Sequence, residues 1–493
     1  MSAETSFSGD STHEPGERQG RAMRETFNPS SVKSEPITIG ETAAGTDVVL
    51  PAGTDLEPEP LTTSLSRPPD DSSVASPKSG GTTLLPLPPE LLQRGRCPFD
   101  PPEALDRMRQ QSTVSLVELL NGATVWMVTD FDQARAVLSD PRFSSDLLRR
   151  SSIFSDMPDE VREQLLDERL RAGSFIGMDP PEHSRYRKLL TGEFTVRRMR
   201  LLAPRILAIV TEHIDAMVAA GTSADLVQAF ALPVPSLVIC ELLGVPYADR
   251  REFQQRTALL LRLDTAVEEL LRISEEMRQF MLRLVTDKRD QPTDDLLSGL
   301  IHGDADPALT DDELVNIALL LLVAGHETTA NMLGLGTFAL LEHPDQLDAL
   351  RADPSLIDGA VEELLRYLSI VHVGLMRVAV EPVELDGQEI PAGATVLVSV
   401  PETNRDPEHW ADPGSLDVTR VRSPHLAFGH GVHQCLGQQL ARVEMTVGFT
   451  ELLRRLPGLR LAVPPQDVPL RSDMAIFGVH ALPVRWDEPE SPR

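Results

Sequence analysis

The chain contains very little cysteine. Its 493 residues include three cysteines, Cys97, Cys240 and Cys435, which stand far apart. A fold held together by disulfides needs a closely spaced set of paired cysteines, so this class of secreted scaffold is excluded. The scarcity is typical of a reducing compartment, and we expect the protein to be cytoplasmic.

Positive charge and long apolar runs are also scarce. Lys and Arg number 46 against 75 Asp and Glu, which gives a formal net charge of −29. An acidic balance of this size argues against nucleic acid and anionic membrane surfaces as partners. The longest apolar run, residues 317–325, has nine residues, whereas a membrane helix takes about 20. We therefore expect no nucleic acid and no membrane partner.

The first 85 residues differ in composition from the rest. Residues 1–90 hold 12 prolines, two aromatic residues, 14 acidic residues and six basic ones. Such a composition cannot bury enough apolar surface to offset the entropy lost on ordering. We predict a disordered acidic tail rich in Pro, Ser and Thr over residues 1–85, and a folded domain over residues 86–493. The alternative for the tail is a docking segment.

The folded part reads as mostly α with a minor β portion. Helical patterns dominate residues 157–369, and a capped helix is predicted over residues 130–138. Strand patterns occupy residues 123–129, 371–380, 383–385 and 395–400, with Asp386 and Gly387 as a hairpin turn. A last strand-rich part is predicted over residues 459–486.

One predicted helix is much longer than the others. Thr310 and Glu313 form a capping box, and the helical pattern then continues without proline to Pro344. This gives about 32 residues, or about 48 Å at 1.5 Å per residue. The helix is apolar almost all round over residues 317–323, which indicates burial.

The most informative segment surrounds Cys435. Residues 428–437 read FGHGVHQCLG, and good helix-forming residues follow Gly437. Glycine allows backbone to approach a flat ligand and permits a positive φ. Cys435 should therefore lie just before or at a helix N-terminus, where free amide groups favour a thiolate that can bind a metal. The alternative is a buried structural cysteine in a glycine-rich turn.

This segment resembles the haem-binding loop of the cytochrome P450 superfamily, whose pattern Phe-Gly-x-Gly-x-His-x-Cys-x-Gly is complete here. The resemblance covers about residues 95–487 and is strongest to the soluble actinobacterial, streptomycete-type branch. It implies the P450 fold, with haem b between the long central helix and the cysteine-loop helix. It also implies that Cys435 is the axial ligand of the haem iron.

The middle of the long helix carries polar groups in an apolar setting. Residues 324–329 read AGHETT, and an acid with two hydroxyls is costly there unless it is used or satisfied. A helix kink with a solvated Glu327 is the structural alternative. The segment resembles the oxygen-activation motif of the family. By that resemblance, Thr328 would hydrogen-bond the dioxygen and Glu327 would relay protons from solvent.

Haem carries two propionates, so an enzyme that holds it needs cations at the rim. The resemblance places four residues there: His183, Arg187, Arg377 and His433. His183 and Arg187 share a helix face at i,i+4 spacing, and His433 stands two residues before the cysteine. Taken singly, each of the four is equally compatible with an ordinary surface group.

Glu363 and Arg366 form an i,i+3 pair on a predicted helix over residues 358–367. As a bare pattern this is a surface ion pair. The resemblance adds Arg420 as a third member and implies a Glu–Arg–Arg set that braces the core on the haem side. We interpret the set as structural.

The resemblance implies a monooxygenase that inserts one oxygen atom of O₂ into an unactivated C–H or C=C bond. The electrons would come from a ferredoxin and an NAD(P)H-dependent ferredoxin reductase, and the protein would act as a monomer. Largely aliphatic pocket walls indicate a bulky apolar secondary metabolite, such as a polyketide macrolide, polyene or terpenoid. The alternatives are a catalytically silent allosteric partner protein and a haem-dependent oxidative coupling enzyme.

Overall fold

Helices make up most of the described chain. The computed structural model describes residues 87–95, 97–149, 163, 166–246, 256–257, 259–263, 265–303 and 305–488, all within one unit, Ser76–Arg493. The predicted tail, residues 1–85, lies outside the described residues. The helices are α1 (Glu103–Gln111), α2 (Phe131–Ser139), α3 (Glu168–Arg171), α4 (Glu182–Thr191), α5 (Val196–Ala220), α6 (Pro233–Leu243), α7 (Val267–Asp290), α8 (Leu296–His302), α9 (Asp311–Glu342), α10 (Pro344–Ala352), α11 (Ile357–Leu368), α12 (Val400–Thr403) and α13 (Gln438–Arg455).

Short strands supply the minor β portion. They are β1 (Val114–Glu118), β2 (Thr124–Val128), β3 (Phe143–Ser144), β4 (Ser223–Asp225), β5 (Leu375–Ala379), β6 (Val383–Leu385), β7 (Gln388–Ile390), β8 (Thr395–Val398), β9 (Arg460–Leu461) and β10 (Pro483–Arg485). The largest sheet has the order β1-β2-β8-β5-β3, in which β2 and β8 are parallel and the other neighbours antiparallel. β4, β10 and β9 form a second sheet, and β6 and β7 form a hairpin.

Helix α9 confirms the predicted long central helix. It has 32 residues and begins with the predicted capping box, in which the Glu313 amide donates to Thr310 Oγ1 (3.2 Å) and the Thr310 amide donates to Glu313 Oε2 (2.7 Å). Its length and its mean hydropathy of 1.3 would suffice to cross a membrane, but 67% of that apolar window is buried inside the protein. It packs against α6, α7 and α13 in the main hydrophobic core. Burial against other helices accounts for its apolar surface.

Most of the predicted strands are confirmed, and one prediction is wrong in extent. The hairpin turn at Asp386 and Gly387 joins β6 to β7, and both residues have positive φ (49° and 72°). Residues 459–486, however, hold only the short strands β9 and β10. Five prolines in this stretch and just before it, at positions 457, 464, 465, 469 and 483, lack the N–H that a ladder needs. Much of the region pairs through single bridges instead, including Val371 with Ile476.

Candidate active site

The loop that carries Cys435 is folded by its own backbone. The Cys435 amide donates to Phe428 O (2.9 Å), and Gly429 and Gly431 adopt positive φ (67° and 73°). A 3₁₀ turn over Gly431–His433 follows, and Gly437 caps helix α13. The cysteine therefore lies three residues before the first residue of α13. This matches the predicted position at a helix N-terminus.

The thiol of Cys435 is half-buried and free. Burial raises its pKa above the usual value, while the amides of Gly437 and Gln438 and the guanidinium groups of Arg187 and Arg442 act in the opposite direction. The amides at the helix start favour the thiolate, as expected, but desolvation outweighs them. A bound metal cation would supply the further stabilisation, since a coordinating thiol loses its proton outright.

The four predicted cations lie together beside this loop. The rings of His183 and His433 are 4.2 Å apart between centroids, and Arg187 Nη2 donates to Gln434 O (2.6 Å). Burial lowers the pKa of His433 to about 3, helped by the positive charges of His183, Arg377 and Arg187. The site thus gathers two guanidinium groups and two imidazoles, and burial disfavours the charged form of both imidazoles.

Some ring nitrogens of the two histidines lack hydrogen-bond partners. His183 is 2% exposed, yet neither of its ring nitrogens has a hydrogen-bond partner, and Nε2 of His433 also has none, among the described residues. Buried polar groups normally have partners, and the positive charges of Arg187 and Arg377 favour a nearby anion. Two carboxylates at this position would meet both needs. The residues present therefore fit the propionates of a haem, and Cys435 is the residue that would hold its iron.

The centre of α9 opens on one side only. Ala324 is exposed and Thr328 half-buried, one turn apart, although most of the surrounding residues of the helix are buried. Thr328 Oγ1 donates to Ala324 O (2.9 Å), the back-bond that threonine commonly makes inside a helix. The hydroxyl therefore stands beside open space. The helix that carries the hydroxyl, α9, packs on α13, the helix that follows the cysteine loop.

Glu327 points into the protein rather than into solvent. Its side chain is 1% exposed, and Oε2 accepts from Arg471 Nη1 (2.9 Å) and from Asn331 Nδ2 (3.3 Å). Oε1 lies 3.9 Å from His326 Nε2. The alternative of a solvated Glu327 is thus wrong. Its role as a proton relay stays a prediction, but any path from solvent must pass through other groups.

Sequence reasoning missed the partners of Glu327. Asn331 stands one turn after it, so a polar i,i+4 pair on a buried helix was a readable signal that a further polar group is needed. Nothing in the sequence pointed to Arg471, which lies 144 positions away. His326 was also unassigned; its Nε2 accepts from Thr257 Oγ1 (3.0 Å) while Nδ1 donates to Leu322 O (2.9 Å).

The predicted brace is present and buried. Arg366 donates to Glu363 through two parallel bonds, Nε to Oε2 (2.8 Å) and Nη2 to Oε1 (2.7 Å), and Arg420 Nε adds a third (3.1 Å). Both arginines also donate to backbone carbonyls of residues 404–415. The set joins α11 to the segment that precedes the cysteine loop, which confirms its interpretation as a structural brace.

Known proteins resemble this chain in sequence and in fold. The family model for cytochrome P450 matches residues 257–486. Cytochrome P450-SU2 of Streptomyces griseolus is 47% identical over 390 residues, which cover 79% of this chain and 94% of that protein. A crystal structure of Rif16 in complex with R-L is 58% identical with a TM-score of 0.72, covering 81% of this chain and all of the other. That of CYP105P1 with filipin I is 43% identical with a TM-score of 0.75, covering 82% of this chain and all of the other.

The residues matched by the family model include the cysteine loop, and the relatives cover about four-fifths of the chain. The fold is that of the cytochromes P450, and the cofactor of that family is haem b, ligated through a cysteine thiolate. The identity to each of these relatives is far above what a shared fold alone would require. The chain therefore belongs to the cytochrome P450 superfamily of monooxygenases.

Proposed function

We propose that this chain is a haem-thiolate monooxygenase that hydroxylates or epoxidises a bulky apolar secondary metabolite, with Cys435 as the axial ligand of the iron. The observation that carries the assignment of the ligand is the conjunction at one place of a half-buried thiol, amides at the start of α13 that lower its pKa, and the imidazoles of His183 and His433, whose ring nitrogens include three without a partner among the described residues. A structural cysteine needs none of these surroundings.

His183, Arg187, Arg377 and His433 would bind the two haem carboxylates and so orient the cofactor. When bound, haem supplies the activation of dioxygen and the transfer of one oxygen atom to the substrate. The residues of α9 control protons. The Thr328 hydroxyl would turn from Ala324 O towards the pocket and donate there, and Glu327 would hold the proton that replaces the one given up.

The substrate class rests on the walls of the pocket and on the relatives. We expect residues 371–375 and 475–478 to contribute walls, and apolar, partly exposed side chains occur there, among them Val371, Val373 and Ile476. A relative of 43% identity has been crystallised with filipin I. We infer that a macrolide, polyene or terpenoid of comparable bulk is oxidised. Electrons would come from a ferredoxin and an NAD(P)H-dependent ferredoxin reductase, and the protein would work as a cytoplasmic monomer.

The ligand is tested by the spectrum of the reduced protein with carbon monoxide. The wild-type protein should show a band at about 450 nm, the signature of thiolate ligation. The Cys435→Ser variant should lack this band. Cys97→Ser is the matched control, because Cys97 is the other half-buried free thiol and its loss should leave the band unchanged. Retention of the band in Cys435→Ser would show that another residue binds the iron.

The reaction is tested with ferredoxin, ferredoxin reductase, NAD(P)H and a panel of macrolides, polyenes and terpenoids. A substrate should shift the haem spectrum on binding and leave as a product with one added oxygen atom. Coupled dimers without added oxygen would instead show an oxidative coupling enzyme. Haem binding with no turnover of any compound, while a partner enzyme is activated, would show a silent allosteric protein.

A further inference from the structure

Arg471 is a buried cation that the proposed mechanism does not yet use. Its side chain is 7% exposed, and a single nitrogen, Nη1, donates to both Glu327 Oε2 (2.9 Å) and Asn331 Oδ1 (3.1 Å). Asn331 in turn donates to the backbone carbonyl of Glu327 (2.8 Å) and to Oε2 (3.3 Å). The carboxylate of Glu327 is thus held by two side chains at one of its oxygens.

The backbone that carries Arg471 is itself fixed. The Arg471 amide donates to Gly478 O (2.9 Å), which closes the segment 471–478. Phe477 N donates to Ile370 O (2.8 Å), and the Gly478 backbone lies so close to Asn331 that a side chain at 478 would overlap it. Arg471 therefore reaches Glu327 from a segment that is anchored to its neighbours.

The contrast with Glu363 shows that the two ion pairs differ in kind. Arg366 donates two parallel hydrogen bonds, one to each oxygen of Glu363, which is the bidentate geometry of a rigid ion pair. Arg471 donates only to Oε2 of Glu327, and its own buried Nε makes no hydrogen bond within the described residues. Oε1 is left on the side of His326, 3.9 Å from Nε2. One oxygen is anchored, and the other is held by neither Arg471 nor Asn331.

We propose that Arg471 is a positioning residue for the Glu327 carboxylate: it anchors Oε2 and leaves Oε1 to take up and release protons. This inference rests on the proposed role of Glu327. A carboxylate on a flexible side chain relays protons well only when it is held within reach of its partners. A buried acid without Arg471 would have lost both its countercharge and its orientation.

The test uses the haem-loaded full chain with ferredoxin, its reductase and NAD(P)H, without organic substrate. Two quantities are measured in H₂O and in D₂O: the rate of NAD(P)H oxidation and the share of electrons released as hydrogen peroxide. Glu327→Gln should slow oxidation on the order of 10²-fold, the scale of a lost proton relay. Arg471→Gln should slow it about tenfold, with a larger solvent isotope effect and a Glu327 side chain displaced in the crystal structure.

Two further variants separate positioning from general stability. Arg471→Lys keeps the charge but not the planar group, so it should restore most of the rate and remain about threefold slower than wild type. Asp473→Asn is the matched control on the same segment: it breaks the exposed contacts of Asp473 with His480 (2.8 Å) and Arg262 (3.6 Å) without touching Glu327. It should match wild type in rate and isotope effect.

The outcomes distinguish the two proposals. A normal rate in Glu327→Gln would overturn the role of Glu327 and this inference with it. A slow Glu327→Gln beside an Arg471→Gln of normal rate and isotope effect would overturn the inference alone. If Arg471→Gln fails to take up haem, Arg471→Lys decides: an unaltered rate and isotope effect, in a variant whose crystal structure shows Oε2 of Glu327 no longer bonded to residue 471, would overturn the inference.

Discussion

Thr328 and Glu327 are neighbours in the chain, but their side chains occupy opposite environments. Thr328 stands at the open side of α9, with its hydroxyl on the Ala324 carbonyl. Glu327 is buried on the other side, held by Arg471 and Asn331. Successive residues on a helix point about 100° apart, so one dipeptide supplies a group to the pocket and a group to the protein interior. Substitution of Thr328 and substitution of Glu327 should therefore affect the reaction in different ways.

Thr328→Ala should uncouple the reaction rather than abolish it. Haem binding, substrate binding and NAD(P)H consumption should persist, because only one hydroxyl is lost. Product per NAD(P)H should fall about 2- to 10-fold and hydrogen peroxide should rise, since protons are no longer directed by the hydroxyl. The measurement is the ratio of product to NAD(P)H, with peroxide assayed in parallel.

The control for this prediction is Thr337→Ala. Thr337 makes the same kind of back-bond on the same helix, from Oγ1 to Leu333 O (2.7 Å), but is buried. Its loss should leave the coupling ratio unchanged. Equal ratios in Thr328→Ala and wild type would point to an ordered water or a substrate hydroxyl as the donor instead.

Glu402 links the start of the short helix α12 to α1 and predicts a pH-dependent stability. It is 2% exposed, and burial raises its pKa to about 7 despite the Arg109 guanidinium 3.4 Å away. Because the folded state binds this proton more tightly than the unfolded chain, the contribution to stability is full below about pH 4.5 and is lost as the pH rises through 7. Above pH 7, ionisation of the buried Glu402 carboxyl lowers the free energy of unfolding by about 3 kcal/mol relative to its value below pH 4.5.

Glu402→Gln should therefore match wild type in Tm near pH 5 and exceed it near pH 8. Glu384→Gln, which changes an exposed carboxylate on β6, is the control and should shift neither value. Thermal unfolding followed by circular dichroism at both pH values provides the measurement. A Glu402→Gln variant less stable than wild type at pH 8 would show that the ionised pair with Arg109 dominates over desolvation.

At the scale of elements, the cysteine loop depends on backbone geometry more than on side chains. Gly429 and Gly431 adopt left-handed φ, and the Gly431 backbone packs against the end of α2 at Leu138 and Ser139. The turn places Cys435 ahead of α13 and brings His433 against His183. The ligand and part of the cation cluster are thus set by the same few residues.

Gly431→Ala should impair haem binding. A side chain at 431 would overlap Leu138 O, and the left-handed backbone adds about 1–3 kcal/mol of strain. We expect a lower ratio of haem to protein and a lower Tm. Gly192→Ala is the control, since Gly192 has φ −60° and open space around it, and it should be neutral. Normal haem content in Gly431→Ala would mean that α2 and the loop can separate at little cost.

At the scale of the whole molecule, the chain divides into a described domain and a tail of different composition. The domain has its own hydrophobic core, to which α9 contributes along most of its length. The first 85 residues, for which a disordered tail is predicted from composition, lie outside the described part, so that assignment stays a prediction. The relatives aligned here cover about four-fifths of this chain.

Deletion of residues 2–84 should leave the enzyme intact. The tail's composition cannot supply core, so haem content and turnover should match those of the full chain, and Tm should move by less than about 2 °C. Haem absorbance per protein, thermal unfolding and product formation are compared between the two proteins. Loss of haem or a collapse of Tm on truncation would show that the tail is part of the fold.

Local features of the fold and site were readable because their physics is local. The capping box of α9, the hairpin turn at Asp386 and Gly387, and the glycine pattern around Cys435 all act within a few residues. The strand content predicted for residues 459–486 was too high, since the prolines there cannot donate to a ladder. The sequence did not decide whether the Glu327 side chain is exposed or buried, because helical periodicity indicates which face a residue lies on but not what covers that face.

The sequence by itself determined the long buried helix with its acid and hydroxyl, the position of the thiol before α13, and the membership of the family that this motif signals. Only the tertiary structure decided the partners: Arg471 on Glu327, the contact of His183 with His433, and the burial that raises the pKa of Glu402. Caps, turns and periodicity depend on neighbours within about one helical turn. Desolvation and long-range pairing depend on the path of the whole chain, because they are set by whatever other segment comes to lie against each residue.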